Sequence, residues 1–173
     1  YDALTASATG DNNVCIGFYA GTAATNSNLV AIGASAMAAN AQQDGSVAVG
    51  NNALTALTTG IGNVAVGQNA LYTVTGTSYN TVVGRYCFQT TTGSRNTGVG
   101  YAALYSTGSS DDNAVFGYFA GRYYGATGSD AVTDAESCTS IGSGTRFTDA
   151  TPSNQIAIGK DVVANQDNGT VIG

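Results

Sequence analysis

The stretch NVAVGQNALYTVTG, residues 63–76, places two β-branched residues around an alanine, follows them with a glycine, and then runs through an Ala-Leu pair to a closing Thr-Gly. The same phrase returns along the chain. Aligning the apolar-glycine steps puts one glycine per unit at Gly17, Gly33, Gly50, Gly67, Gly84, Gly100, Gly117, Gly142, Gly159 and Gly173. The intervals are 16, 17, 17, 17, 16, 17, 25, 17 and 14 residues. Self-similarity at a short fixed period is the signature of a repeat architecture, in which each unit is too small to bury its own apolar face and must stack on its neighbours.

Within each unit, apolar or Thr residues stand three and one places before the glycine, as in Val30/Ile32, Val47/Val49, Thr97/Val99 and Ile156/Ile158. Period-two placement of β-branched residues predicts a short strand. The flanking residues are expected to enter the core. The Ala53-Leu54, Ala70-Leu71 and Ala103-Leu104 pairs, with Cys87-Phe88 and Val162-Val163 as variants, are expected to form a second strand and an opposite wall. Thr-Gly pairs at Thr59-Gly60, Thr75-Gly76, Thr92-Gly93 and Thr107-Gly108 are expected to close the coil, glycine supplying positive φ. The expected fold is all-β: a parallel β-solenoid of about ten coils of 14–17 residues, forming one repeat domain over 1–173, a stretch of a longer fibre, with a loop insertion in the coil at 118–141.

Composition agrees. Charged residues make up 9 % of the chain against roughly 25 % in ordinary globular chains. Twenty-four glycines against one proline, with many Asn, Thr and Ser, call for turns, and glycine interrupts every alanine-rich stretch before a helix can establish itself.

The residue between the two apolar ones is small or apolar throughout: Cys15, Ala31, Ala48, Ala65, Val82, Gly98, Val115, Ser140, Ala157 and Val171. If the flanking residues face the core, these face outward, where solvent favours polar side chains. Cys15, Ala31, Ala48, Ala65, Val82, Val115 and Ala157 are therefore expected to meet another copy of the chain, closed symmetric homo-oligomers being the common solution.

The units Asn28-Leu29-Val30-Ala31-Ile32-Gly33, Ser46-Val47-Ala48-Val49-Gly50 and Asn154-Gln155-Ile156-Ala157-Ile158-Gly159 resemble the head repeat of trimeric autotransporter adhesins, the YadA-like head. The longer phrase at Thr59 to Leu71 and Thr92 to Leu104 is similar to repeats of bacteriophage tail fibres. The resemblance implies a left-handed β-roll, a homotrimer around a common axis, and a non-enzymatic role in host or surface attachment, extracellular, on a virion fibre or a bacterial surface. Most coils here are longer than those of the adhesin head, and the choice between fibre and adhesin stays open. A mechanical spacer whose recognition lies in a separate tip is the alternative. An ice-binding solenoid is a weaker one, raised by Thr25, Thr58, Thr75 and Thr92, which form no paired Thr-x-Thr rows.

Other chemistries find little footing. There is no histidine, the usual base of a nucleophilic triad and the commonest metal ligand. The densest acidic set, Asp130, Asp134 and Glu136, lies in one loop, where a glycosidase needs two carboxylates facing across a sugar. Gly142-Ser143-Gly144 lacks a third glycine and a following helix. Asp111, Asp112, Asn113, Asp167 and Asn168 match no calcium-loop spacing and read as solvated turns. No catalytic residue, cofactor or metal is expected. A net charge of −6 with five scattered basic residues argues against nucleic acid, and no run approaches the ~20 apolar residues of a bilayer span. Cys15, Cys87 and Cys138 are expected to stay free, because stacked coils hold them roughly 14 Å or more apart.

The unit between Gly117 and Gly142 is eight residues longer than its neighbours of 17. Insertions in solenoids become loops, and loops carry binding. Tyr118, Phe119, Arg122, Tyr123, Tyr124, Asp130 and Asp134 form the candidate site for a cell-surface glycan or protein receptor. The alternative is that the loop's tyrosines pack against an adjacent chain. Phe18, Tyr101 and Tyr118 follow the glycine directly, with Tyr19, Tyr86 and Phe119 one place on, so stacking is expected to align aromatics in ladders.

Overall fold

A computed structural model describes Ala3 and residues 10–22, 27–39, 44–90, 92–105, 108–124 and 130–173. Ten three-residue strands stack in one parallel sheet: β1 (Val14–Ile16), β2 (Val30–Ile32), β3 (Val47–Val49), β4 (Val64–Val66), β5 (Thr81–Val83), β6 (Thr97–Val99), β7 (Ala114–Phe116), β10 (Thr139–Ile141), β11 (Ile156–Ile158) and β12 (Thr170–Ile172). Between them the chain winds through about eight full turns. The described residues contain no helix. The remaining pair, β8 (Tyr123–Tyr124) and β9 (Asp130–Ala131), is an antiparallel hairpin. It accounts for the long seventh interval as a side excursion that leaves β7 paired directly with β10.

Register is strict: Ala31, Ala48, Ala65, Val82, Gly98 and Val115 are successive partners in one column. This column lies inside the coil. Ala31, Ala48, Ala65, Val82, Val115, Ser140 and Ala157 have no exposed surface, and Cys15 is half-buried against the same core. The orientation expected from the sequence is therefore inverted, and the flanking valines and isoleucines face out. The reason is thickness. Opposite the strand column stand Leu54, Leu71, Phe88 and Leu104, all fully buried, and one large side chain per coil leaves room for a small partner only.

That opposite wall is not a continuous second sheet. Apart from one parallel bridge between Arg146 and Val163, its residues are mostly turns, with positive φ two and four places after the repeat glycine, as at Asn52 (57°) and Leu54 (52°), or Asn69 (56°) and Leu71 (50°). A left-handed leucine costs about 1–2 kcal/mol, and burying its side chain returns about 1.5–3 kcal/mol. Coil-to-coil backbone bonds hold the turns in register: Leu54 N–H donates to Ala70 C=O at 3.1 Å, and Leu71 N–H to Cys87 C=O at 3.2 Å. A third left-handed corner falls five places before the glycine, at Asn28, Gly45, Gly62, Tyr79, Arg95 and Asp112.

The repeat glycine is required twice over. Gly67 sits at φ +133°, and a Cβ there would lie 2.5 Å from the carbonyl oxygen of Gly84 in the next coil. The Thr-Gly glycines have a different reason from the one expected: Gly60 and Gly93 do not take positive φ. A Cβ would instead fall on the carbonyl groups of Thr77 and Ser110. Thr107 lies outside the described residues.

Among the described residues, the longest run of buried polar side chains is a ladder four places before the glycine. Asn63, Asn80, Asn96 and Asn113 are buried, and each Oδ1 accepts the backbone N–H of the next rung, at 3.1 Å for Asn80, 2.9 Å for Asn96 and Asn113, and 2.9 Å for Cys138 at the end. Ser140, the one hydroxyl in the inner strand column, bonds to Thr145. Buried polar groups persist because they are paired.

Candidate functional site

Two surfaces stand out. The first is the outer face of the ten-stranded sheet. Its columns are the residues three and one places before each glycine, and each strand presents both. Val14 is 46 % exposed, Ile16 58 % and Ile172 72 %, and Val83, Val99, Phe116 and Ile141 also reach solvent. Val30, Ile32, Val47, Val49, Val64 and Val66 are half-buried by their neighbours in the ladder. Threonines at Thr81, Thr97, Thr139 and Thr170 supply the only hydroxyls. No charged residue occurs in any of these strands. With strands ~4.8 Å apart and residues ~3.3 Å long, the face covers roughly 400 Å² in projection, within the range of the largest apolar patch on a typical monomer, which is itself often functional.

The residues expected to meet another copy of the chain do not lie on this face. Ala31, Ala48, Ala65, Val82, Val115 and Ala157 face the interior and have no surface to offer another chain, and Cys15 packs on the core. Period-two alternation was legible in the sequence, but the assignment of inside and outside was not.

The second surface is an aromatic corner just beyond the glycine. Tyr86, Tyr101 and Tyr118 form the expected ladder, with ring centroids 5.9 Å apart at an edge-on angle for the first pair and 5.4 Å apart, stacked within 16°, for the second. Phe119 lies against both Tyr118 (4.2 Å) and Tyr101 (5.4 Å). Arg122 sits among three rings: its Cζ is 4.4 Å from the Tyr105 centroid, 4.6 Å from Phe119 and 4.8 Å from Tyr123. Tyr86, Tyr101 and Tyr105 are the members of this corner that the predicted binding set left out. They come from the two coils before the insertion, and only the stacking brings them beside it.

Of the other predicted binding residues, Tyr124 and Asp130 pair through their backbones in the hairpin. Asp134 lies after the hairpin, its backbone N–H donating to Ala150 C=O at 3.1 Å, while its Oδ1 is buried without a hydrogen bond. Residues 125–129, the tip of the predicted loop, lie outside the described residues.

The acidic turns have structural employment. Asp111 accepts the Ser94 N–H at 2.6 Å. Asp112 pairs with the Arg95 guanidinium through both oxygens, at 2.7 and 2.8 Å, which holds its carboxyl below the usual range. Asp167 accepts from Ser153 N–H and Gln155 Nε2, both at 2.9 Å, and is lowered for that reason. Among the described residues no three His, Cys, Asp or Glu side chains converge as metal ligands. The turn threonines are likewise engaged: Thr58 donates its hydroxyl to Thr75 C=O at 2.8 Å, while Thr25 is outside the described residues.

No family model, curated protein or solved structure matches the chain.

Proposed function

We propose that this chain is a structural and adhesive segment of a homotrimeric extracellular attachment fibre, a left-handed β-roll on a phage tail or a bacterial surface. The observation that carries the reading is the outer sheet face. All-parallel sheets are ordinarily covered on both faces, and the outer face of this one is mostly valine and isoleucine from Val14 to Ile172, with four threonines, Ala114 and Phe116 and without a charge. Three such faces meeting along an axis bury those columns and leave the turns, which carry the charges, in water. The strictly repeated rise suits a rod, and the aromatic corner gives the rod something to bind with. The sequence resemblance to adhesin heads and tail-fibre repeats points the same way.

Sedimentation equilibrium of the chain, alongside a Val49→Lys/Val66→Lys double variant, tests the association. The wild type is expected to sediment at three times the chain mass, and the variant, whose two ammonium groups would have to enter the contact, as a monomer with its β circular dichroism retained. A wild type that stays monomeric at tens of micromolar overturns the proposal.

A further inference from the structure

The geometry points to a specific ligand class for the aromatic corner: a pyranose sugar bearing one carboxylate, its ring on the Tyr101/Tyr118 stack and its carboxylate on Arg122. This inference rests on the attachment reading above and narrows it.

Three observations combine. Tyr118 is 54 % exposed and lies parallel to Tyr101, so the pair offers an outward aromatic surface of the kind on which the C–H face of a sugar packs. Second, Arg122 is half-buried among aromatic rings, and among the described residues its guanidinium has neither a hydrogen bond nor an ion pair. Arg95 on the same rod is clamped by Asp112, and Arg85 donates to the Tyr86 hydroxyl at 2.8 Å. A half-desolvated guanidinium without an anion is an unfinished interaction, and a carboxylate meets its fork with two parallel bonds. Third, the Phe119 ring touches both members, its centroid 4.2 Å from that of Tyr118 and 4.6 Å from Arg122 Cζ, so platform and cation share one neighbour and one ligand can meet both.

The same facts select against other occupants. The aromatic cage already holds a cation, which excludes a quaternary ammonium. A net charge of −6 disfavours a long polyanion. Packing against an identical neighbouring chain would bury the guanidinium deeper and still leave it in need of an acid. The surface is open, so a single site binds weakly, and repetition on three chains of a rod supplies avidity.

Two sources share this chemistry, a terminal sialic acid and a uronic acid. The experiment titrates the full chain with the methyl glycosides of N-acetylneuraminic acid, glucuronic acid and glucose, following tyrosine ring resonances by NMR. At least one acidic glycoside is expected to shift the Tyr101 and Tyr118 signals at millimolar concentration, at least tenfold more tightly than methyl glucoside, and the tighter of the two names the source. Arg122→Gln is expected to erase the acid preference while keeping the ring contact, and Tyr118→Ala to weaken both. Equal binding of acidic and neutral glycosides, a preference that survives Arg122→Gln, or no shift at 20 mM overturns the inference. Sedimentation of the same samples separates the two proposals: a monomer that binds keeps the site and removes the fibre, and a trimer that does not bind does the reverse.

Discussion

Asn96 donates both its backbone N–H and its carboxamide N–H to Oδ1 of Asn80, at 2.9 and 3.0 Å. Asn113 repeats the arrangement on Asn96 at the same distances, and Asn96 Nδ2 also reaches Ser110 C=O at 2.6 Å. One oxygen thus accepts two donors from the next coil, and the ladder ties coils together in the low-dielectric interior, where each hydrogen bond counts for more than in water.

Asn96→Ala removes an acceptor for two donors of Asn113 and a donor to Ser110, leaving buried groups unpaired. At about 1–3 kcal/mol per orphaned group, the variant is expected to lose on the order of 3 kcal/mol in chemical denaturation. Asn96→Ser is expected to cost less. Ser46 occupies the same column and its hydroxyl accepts the Asn63 N–H at 3.2 Å, so a hydroxyl is a workable rung. Equal losses for the two variants would mean that the side chain matters by volume and not by its oxygen.

The repeat glycine and the corner glycine separate geometry from packing. Gly67→Ala places a methyl group 2.5 Å from Gly84 oxygen at φ +133°, in a region closed to L-residues, and no soluble folded chain is expected. Gly45 also has positive φ, +69°, with nothing within 4 Å of its Cβ position, so Gly45→Ala carries only the left-handed cost of about 1–2 kcal/mol. Thermal melts of the two variants check this, and a Gly67→Ala that folds normally would refute the stacked-glycine account.

Stability should be flat across neutral pH and fall on both sides. With no histidine, nothing ordinary titrates between pH 5 and 8. On the acid side, Asp112 and Asp167 have lowered folded values, from the Arg95 hydrogen bond and from Ser153 N–H respectively. Their contribution is present above the unfolded carboxylate value of about 4 and is lost as pH drops below it. On the alkaline side, burial pushes Cys87 up to about 12 and Cys138 up to about 11. Unfolded thiols ionise from about pH 8.5 while the folded ones keep their protons, so stability declines above that pH, by about 1.4 kcal/mol per unit for each thiol. Calorimetry from pH 3 to 10 reads both limbs, and Cys87→Ala is expected to shallow the alkaline one. In native protein, iodoacetamide should label half-buried Cys15 well before the other two.

Much of this architecture was readable because a short repeat leaves few choices. The ten strands lie where the glycine phase places them, and coil spacing alone stacks Tyr101 on Tyr118, while Tyr86, one place further along its coil, meets Tyr101 edge-on. What the pattern left open was which side of a three-residue strand is inside. Both sides are apolar, so the usual contrast between a polar and an apolar face was missing. The interior at Ala48 and Ala65 is decided by the depth of Leu54 and Leu71 across the coil, a distance that no local pattern encodes. The Ala-Leu segment misled for a related reason: its recurrence from coil to coil reads as a second strand, whereas burial of Leu54 and Leu71 offsets the cost of a left-handed backbone and makes it a turn.

Depth is most strained in the coil that carries Phe88. Its side chain is, with Phe147, one of the two largest that are fully buried among the described residues, and across from it the inner strand column narrows to Gly98. A Cβ on Gly98 would strike the Phe88 ring and come within 3.0 Å of Cys87 Sγ. Elsewhere along the same column Val82 and Val115 fit without exposure, and the turns of the adjoining coils carry Leu71 and Leu104 in place of phenylalanine. Strand and turn therefore share a fixed volume per coil. Gly98→Ala alone is expected to cost about 1–3 kcal/mol by overpacking, and Phe88→Leu alone a comparable amount by leaving a void. The double variant Gly98→Ala/Phe88→Leu should recover most of that loss, with a coupling of about 1–3 kcal/mol in a double-mutant cycle. Simple additivity of the two losses would show that the coil can widen, and a coil free to widen would have no physical need for alanine on the inside.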